Sequence, residues 1–247
     1  MGNETQFVFL IPAYNCENDI CQTLLSIFAQ SYKNWRVVLI DDLSTDNTLE
    51  KSKHLVESLG CREKFNFIRR EEKYGEVRNT VEEIQWIEDD EVVVRLDAGD
   101  WLTDNDTLYY LNNVYREHRP AVCWTAQRWS YTSYGISKQM KLQPNMSVYE
   151  HPWVSSHLKT FRALSLKKVN PKNFYDDDGN WIMIACDQAV FLPMMHVAIK
   201  NNQPLVFLPL VCYHYNIDLE KPDLFTEDRS INQKQSAEWI RSRGYVE

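Results

Sequence analysis

The sequence predicts an α/β fold, with a mainly parallel sheet flanked by helices and a more irregular second half. Three observations carry this. Between residues 6 and 116, a short apolar run followed by helical spacing occurs four times, the alternation that βα units leave in a chain. The first run is apolar throughout, as in a strand covered on both faces. Two of them end in acids, at Asp41-Asp42 and at Asp97-Ala98-Gly99-Asp100, where open α/β sheets bind their ligands.

In chain order, residues 6–12 form the first strand, closed by Pro12, with Ala13-Tyr14-Asn15 as its turn. Within 17–30, Ile20, Leu24, Ile27 and Phe28 have helical spacing, and Ser31-Tyr32-Lys33-Asn34 breaks the helix. The second strand covers 35–40 and delivers Asp41-Asp42. Ser44 and Asp46 are capping residue types ahead of a helix over 49–59. A third strand spans 65–68, and Gly75 opens a helix with Val81, Ile84 and Ile87 on one face. The fourth strand, 91–96, delivers Asp97 and Asp100. Asp104-Asn105-Asp106 caps a helix through Leu108, Leu111 and Val114-Tyr115. Right-handed crossovers make such a series a parallel sheet.

The pattern changes at Pro120. A strand is expected at 121–126, then a polar, aromatic stretch over 127–153 with little periodicity. Asp176-Asp177-Asp178-Gly179-Asn180 reads as an acidic turn. A helix covers 187–199 despite Pro193, with short strands at 205–209 and 211–215. The tail beyond Pro222 is polar, with an amphipathic patch at 237–240. The expectation is one domain over 1–247, with halves 1–119 and 120–247.

Hydrophobic residues make up 44% of the 247, enough to bury a core and to exclude a disordered chain. The net charge of -8 argues against nucleic-acid binding, which needs a basic footprint. The apolar run from Phe7 to Tyr14 falls far short of the roughly 20 residues of a membrane span, so no integral membrane segment is expected. Met1-Gly2-Asn3-Glu4 lacks the basic opening of a signal peptide. The six cysteines form no C-x-x-C pair and read as buried free thiols in a reducing compartment. These features lead to the expectation of a cytoplasmic protein, compatible with peripheral membrane contact through its tail.

Two carboxylates in one tight loop are costly unless something positive joins them. The natural candidate is a divalent cation carrying a phosphorylated ligand, and the competing reading is a solvated loop.

Four segments together resemble a known family. Phe9-Leu10-Ile11-Pro12-Ala13-Tyr14-Asn15 resembles the opening strand and turn of family 2 glycosyltransferases with the GT-A fold. The run from Val38 through Asp41-Asp42 to Thr48 is similar to their second strand and paired aspartates. Gly75-Glu76-Val77-Arg78-Asn79 is similar to their Gly-x-x-x-Arg-Asn helix start. Arg95-Leu96-Asp97-Ala98-Gly99-Asp100 resembles their Asp-x-Asp region. The order and spacing agree over roughly residues 6 to 116.

The resemblance implies a GT-A, Rossmann-like fold and inverting transfer from a UDP-sugar to the hydroxyl of a saccharide or other acceptor. It implies that Asp42 binds uracil, with Pro12, Ala13 and Tyr14 lining that pocket. Physically, a carboxylate can accept from uracil N3–H, while helix capping competes for Asp42 and core packing for Tyr14. Arg78 is the cation expected near uracil or diphosphate, since its fork suits such oxygens, and a salt bridge to Glu82 competes. Asp97 and Ala98 would meet the nucleotide sugar. Asp97 and Asp100 would hold Mn²⁺ or Mg²⁺, with His214 a further ligand by analogy to a late histidine in some relatives. The family usually has Asp-x-Asp-Asp, and Gly99 here replaces an acid that is often the direct metal ligand.

Asp187, in Ile184-Ala185-Cys186-Asp187-Gln188-Ala189, resembles the family's general base, although the usual Glu-Asp pair is Cys186-Asp187 here. Helix capping is its competing role. The segment His157-Leu158-Lys159-Thr160-Phe161-Arg162 is similar to one ahead of the acceptor loop in some relatives. That leaves His157 and Arg162 for phosphate or acceptor, and Trp153 and Trp181 for stacking on a sugar. Two rivals remain. One is an inactive nucleotide-sugar-binding module, because Gly99 and Cys186 replace acids. The other is a nucleotidyltransferase, disfavoured because the turn after the first strand has no glycine.

Overall fold

The computed structural model describes residues 4–133, 135–217 and 227–247. Met1-Gly2-Asn3 and the start of the tail, 218–226, lie outside the described residues. Eight strands form one sheet in the order β3-β2-β1-β4-β7-β6-β8-β5. β1 (Phe7–Ala13), β2 (Trp35–Asp41), β3 (Phe65–Arg69) and β4 (Val92–Arg95) are mutually parallel and realise the four expected βα units. β5 (Trp101–Leu102), β6 (Val122–Trp129), β7 (Lys159–Arg162) and β8 (Leu205–Tyr215) complete it. β7 runs antiparallel between β4 and β6, β8 is parallel to β6, and β5 is antiparallel to β8.

Alternation along the strands sends side chains to two layers. Phe7, Phe9 and Ile11 of β1 pack with α1 (Ile20–Phe28), α2 (Thr48–Ser58) and α4 (Thr107–His118). Val8 and Leu10 face the other layer, with α3 (Gly75–Glu83), α5 (Ala163–Lys167), α6 (Cys186–Lys200) and the end of α7 (Glu227–Arg243). Each fully buried Leu, Ile or Phe contributes about 1.5–3 kcal/mol against exposure.

Several expectations were corrected in detail. Pro12 does not close β1, which continues to Ala13. The Leu96 N–H donates to the Leu10 carbonyl, so Leu10, and Pro12 with the same parity, turn their peptide groups towards β4. β4 ends at Arg95, so the N–H that Pro12 lacks has no strand to meet there. The sheet parts at this point, between a parallel neighbour on each side of β1, which is the usual switch-point crevice. The two short strands expected at 205–209 and 211–215 are one strand, β8, whose register jumps opposite Ala126 from Leu208 to Val211. This bulge accommodates Pro209, which cannot donate to a ladder. β5, β7 and α5 had no counterpart in the expected elements, and the tail patch at 237–240 belongs to a 17-residue helix.

Candidate active site

The site grows from the carboxyl ends of β2 and β4. Asp41 is fully buried, paired with Arg69 at 2.7 Å, and it accepts from the Ser44 N–H at 3.1 Å, a structural arrangement. Asp42 turns the other way. Its two oxygens accept from the backbone N–H groups of Tyr74 at 2.8 Å and Gly75 at 2.9 Å, at the start of α3. The competing capping role is therefore present, although for α3 rather than for the helix that follows Asp42. Gly75 sits at φ +75°, a conformation that favours glycine, and a Cβ there would displace the mobile end of the exposed Met183 side chain.

From α3 the network crosses to β4 and then to β7. Glu76 pairs with Arg95 at 2.7 Å, and Arg95 pairs with Asp97 at 2.9 Å. His157 stands between two carboxylates. Its Nδ1 is 3.7 Å from Asp97 and its Nε2 is 3.8 Å from Asp187, while its ring stacks on Tyr213 at 4.6 Å. Lys159, fully buried, forms an ion pair with Asp187. Burial works against ionising Asp187, but Lys159 and then His157 outweigh it and hold the carboxyl down at about 2. Burial pushes Glu76 up to about 7, against the pull of Arg95. Burial, helped by the charge of Lys159, pushes the His157 imidazole down.

Asp100 is held by the Tyr213 hydroxyl and, at 2.8 Å, by the Asn216 N–H. Burial and then the nearby Asp97 raise its carboxyl to about 8. Gly99 between them has φ +105°, a conformation that disfavours the aspartate common in the family. His214 is not brought to this cluster. It follows Tyr213 on β8 and so faces away from it, stacked on Trp101 at 4.1 Å, with its ring nitrogens near Arg128 and Ser130.

Among the described residues no group of three or more His, Cys, Asp or Glu side chains is placed to hold a metal ion. With both Asp100 oxygens engaged, Asp97 is the acid of the Asp97–Asp100 loop left to line the cavity. One carboxylate with diphosphate oxygens and waters fits Mg²⁺ or Mn²⁺, which seldom use all-protein cages. The fit is to a cation that arrives with a nucleotide, not to a preformed centre.

Glu76, Asp97, His157 and Asp187 line a cavity of about 530 Å³, with Met183 and Ile184 at one lip and Arg229 of α7 at the other. A larger groove of about 830 Å³ opens elsewhere, beside Arg116, Arg119 and Arg162, and holds none of the expected acids. Arg162 is thereby separated from His157. Tyr14 is 47% exposed, with the Lys73 ammonium over its ring. Arg78 meets Glu82 at 2.8 Å and Glu72 at 3.0 Å and stacks on Tyr74. Pro12 and Ala98 are half-buried and Ala13 is buried. Trp181 packs on Tyr175 at 4.4 Å across the acidic turn. Sequence reasoning missed Glu76, Arg95, Lys159 and Tyr213 as members of the site. The available signal was a single charge inside each of two apolar strands, Val92-Val93-Val94-Arg95-Leu96 and Leu158-Lys159-Thr160-Phe161, since a buried charge requires a partner.

No helix among the described residues is long and apolar enough to cross a membrane. The chain is 25% identical over 170 residues to the glycosyltransferase GlyA of Streptococcus pneumoniae, a match covering 66% of this chain and 24% of GlyA. It thus spans about a quarter of that relative's length. S. aureus TarS 1–349 in complex with UDP superposes with a TM-score of 0.67 at 20% identity, over 98% of this chain and 67% of that one. The mannosyltransferase PcManGT from Pyrobaculum calidifontis, in complex with GDP-Man and Mn²⁺, gives 0.59 at 15% identity, over 96% and 70%. These structures share the GT-A fold with this chain. The family model for glycosyl transferase family 2 matches residues 8–184. That is most of the chain and includes the ends of β1, β2 and β4, so the chain belongs to glycosyl transferase family 2.

Proposed function

We propose that this chain transfers a sugar from a UDP-sugar to an acceptor hydroxyl, with inversion at the anomeric carbon. The observation that carries this reading is that Asp97 at the end of β4 and Asp187 at the start of α6 line one cavity, linked through His157. In the proposed step the acceptor O–H gives its proton to Asp187 while its oxygen attacks the anomeric carbon. The bond from that carbon to the diphosphate breaks, and UDP leaves with the electron pair.

Asp42 accepts from uracil with the lone pairs that Tyr74 and Gly75 leave over, beside Pro12, Ala13 and Tyr14. Arg78 supports the nucleotide, and Asp97 and Ala98 meet the ribose and diphosphate. Mn²⁺ or Mg²⁺, when bound, supplies Lewis-acid stabilisation of the leaving diphosphate, with Asp97 as its protein ligand. Paired with Lys159, Asp187 is ionised but weakly basic. In this reading Asp187 takes the proton late, once attack on the anomeric carbon has made the acceptor O–H acidic. UDP and UDP-GlcNAc, which TarS binds, are the first nucleotide and donor to test.

One observation favours a second base. Glu76 lines the same cavity with a carboxyl at about 7, where general bases work best. The deciding experiment measures UDP release from UDP-sugars, with and without candidate acceptors, for the unaltered protein, Asp187→Asn and Glu76→Gln. Loss of turnover by at least about 100-fold in Asp187→Asn alone supports Asp187. The same loss in Glu76→Gln alone moves the base to Glu76. UDP binding without turnover by the unaltered protein marks an inactive binding module.

A further inference from the structure

We propose that the cavity beside Asp187, under the second half of the chain, is an acceptor subsite for one uncharged pyranose ring; this rests on the transferase reading above. The cavity is about 230 Å³ and adjoins the first, with His157, Asp187, Tyr215 and Gln233 lining both. It lies below the roughly 300 Å³ at which drug-sized ligand pockets begin, so it suits one ring rather than a chain.

Its walls pair aromatic faces with amides. Trp129, Trp153 and Tyr215 provide the faces, and Gln127, Gln188 and Gln233 provide the amides. A sugar ring has an apolar C–H face and a rim of hydroxyls, so this combination meets both. The Gln127 Oε1 already accepts from the His157 N–H at 2.8 Å, which fixes its orientation. The Gln188 Oε1 is buried and has no hydrogen-bond partner. A buried acceptor left in that state is costly, and a ligand hydroxyl would satisfy it.

Charge sets the chemical class. Asp187 is the anion among the described lining residues, and no Lys or Arg is among them. The nearest cation, Lys159, lies fully buried and is committed to Asp187. A phosphate- or carboxylate-bearing acceptor would meet Asp187 with no cation among the described lining residues to balance it. A neutral ring carries no such penalty and can present a hydroxyl to Asp187, at the junction of the two cavities.

The test uses the full chain and saturation-transfer NMR. Methyl β-D-glucopyranoside and methyl N-acetyl-β-D-glucosaminide are the neutral probes, and glycerol 3-phosphate and methyl β-D-glucuronide are the anionic ones. At least one neutral glycoside is expected to saturate, and the anions are not. Trp129→Ala and Gln188→Ala are each expected to weaken that glycoside about tenfold while leaving UDP affinity within about twofold. Should Trp129→Ala fail to fold by circular dichroism, Gln188→Ala decides. The proposal is overturned if no neutral glycoside saturates, if an anionic probe binds as tightly, or if neither folded variant weakens binding. Loss of UDP binding in the unaltered protein would instead sink the transferase reading, and the glycoside arms would still judge the pocket.

Discussion

Replacing Lys159 with methionine removes the one cation paired directly with Asp187 while keeping most of the side-chain volume. Asp187 sits at about 2 instead of its ordinary 3.8, which makes the ionised form's interactions worth on the order of 2 kcal/mol. Because the carboxyl is depressed, that stabilisation is fully present above about pH 3.8 and is lost as the pH falls through about 2. Without Lys159 the largest interaction opposing burial is gone, so the carboxyl is expected to rise. The variant then holds an uncompensated buried charge at neutral pH, which costs about 3–5 kcal/mol. It regains stability as the pH falls through the raised value.

Urea unfolding at about pH 7 and about pH 4.5 measures this, and domain stabilities of about 5–15 kcal/mol leave room to see it. The loss in Lys159→Met should be larger at the higher pH. Lys159→Met combined with Asp187→Asn should recover part of it, since the two sites are in contact. A loss independent of pH, together with a double variant no more stable than the single, would refute the ion-pair account.

Other outcomes follow from the same geometry. Gly75→Ala should cost about 1–3 kcal/mol in denaturant unfolding, from strain at φ +75°. Asp42→Asn keeps an acceptor but loses a charge at the start of α3, so it should cost about 1 kcal/mol and also weaken UDP in calorimetry; unchanged UDP affinity would remove Asp42 from the nucleotide site. Mn²⁺ alone should give no saturable heat, whereas Mn²⁺ with UDP should, and Asp97→Asn should abolish the difference; binding without nucleotide would reveal a preformed centre. In a pH–rate profile, Asp187 as base predicts no acid limb above about pH 5, and Glu76 as base predicts one near 7, where its carboxyl must lose its proton.

The parallel half was legible because its strands are chain-local units whose apolar runs and caps recur in order. Asp42 and Asp97 stood out as candidates because each follows a strand end, and Asp187 through the family resemblance. Their partners did not. Nothing local marks Arg95 or Lys159 as a member of the site until the fold places Glu76, Asp97 and Asp187 beside them from distant parts of the chain. β7 escaped notice because it is four residues long, carries a lysine and enters the sheet out of chain order. His214 was expected at the acids, but a one-residue difference on β8 gives that position to Tyr213.

The insertion of β7 between β4 and β6 bears on modularity. The amino-terminal four strands look like a transplantable cassette, ready to be fused to foreign acceptor-binding segments. Yet β4, buried along its whole length, has β7 as its outer neighbour, and β7 comes from beyond residue 119. A chain cut at 119 would bare an apolar edge with unmet N–H and C=O groups, an invitation to intermolecular pairing. Such a fragment is expected to sediment as aggregate rather than fold as a monomer. Grafts between relatives would have to carry residues 159–162 along with the donor half, so the seam for chimeras lies inside the sheet and not at the break in sequence pattern.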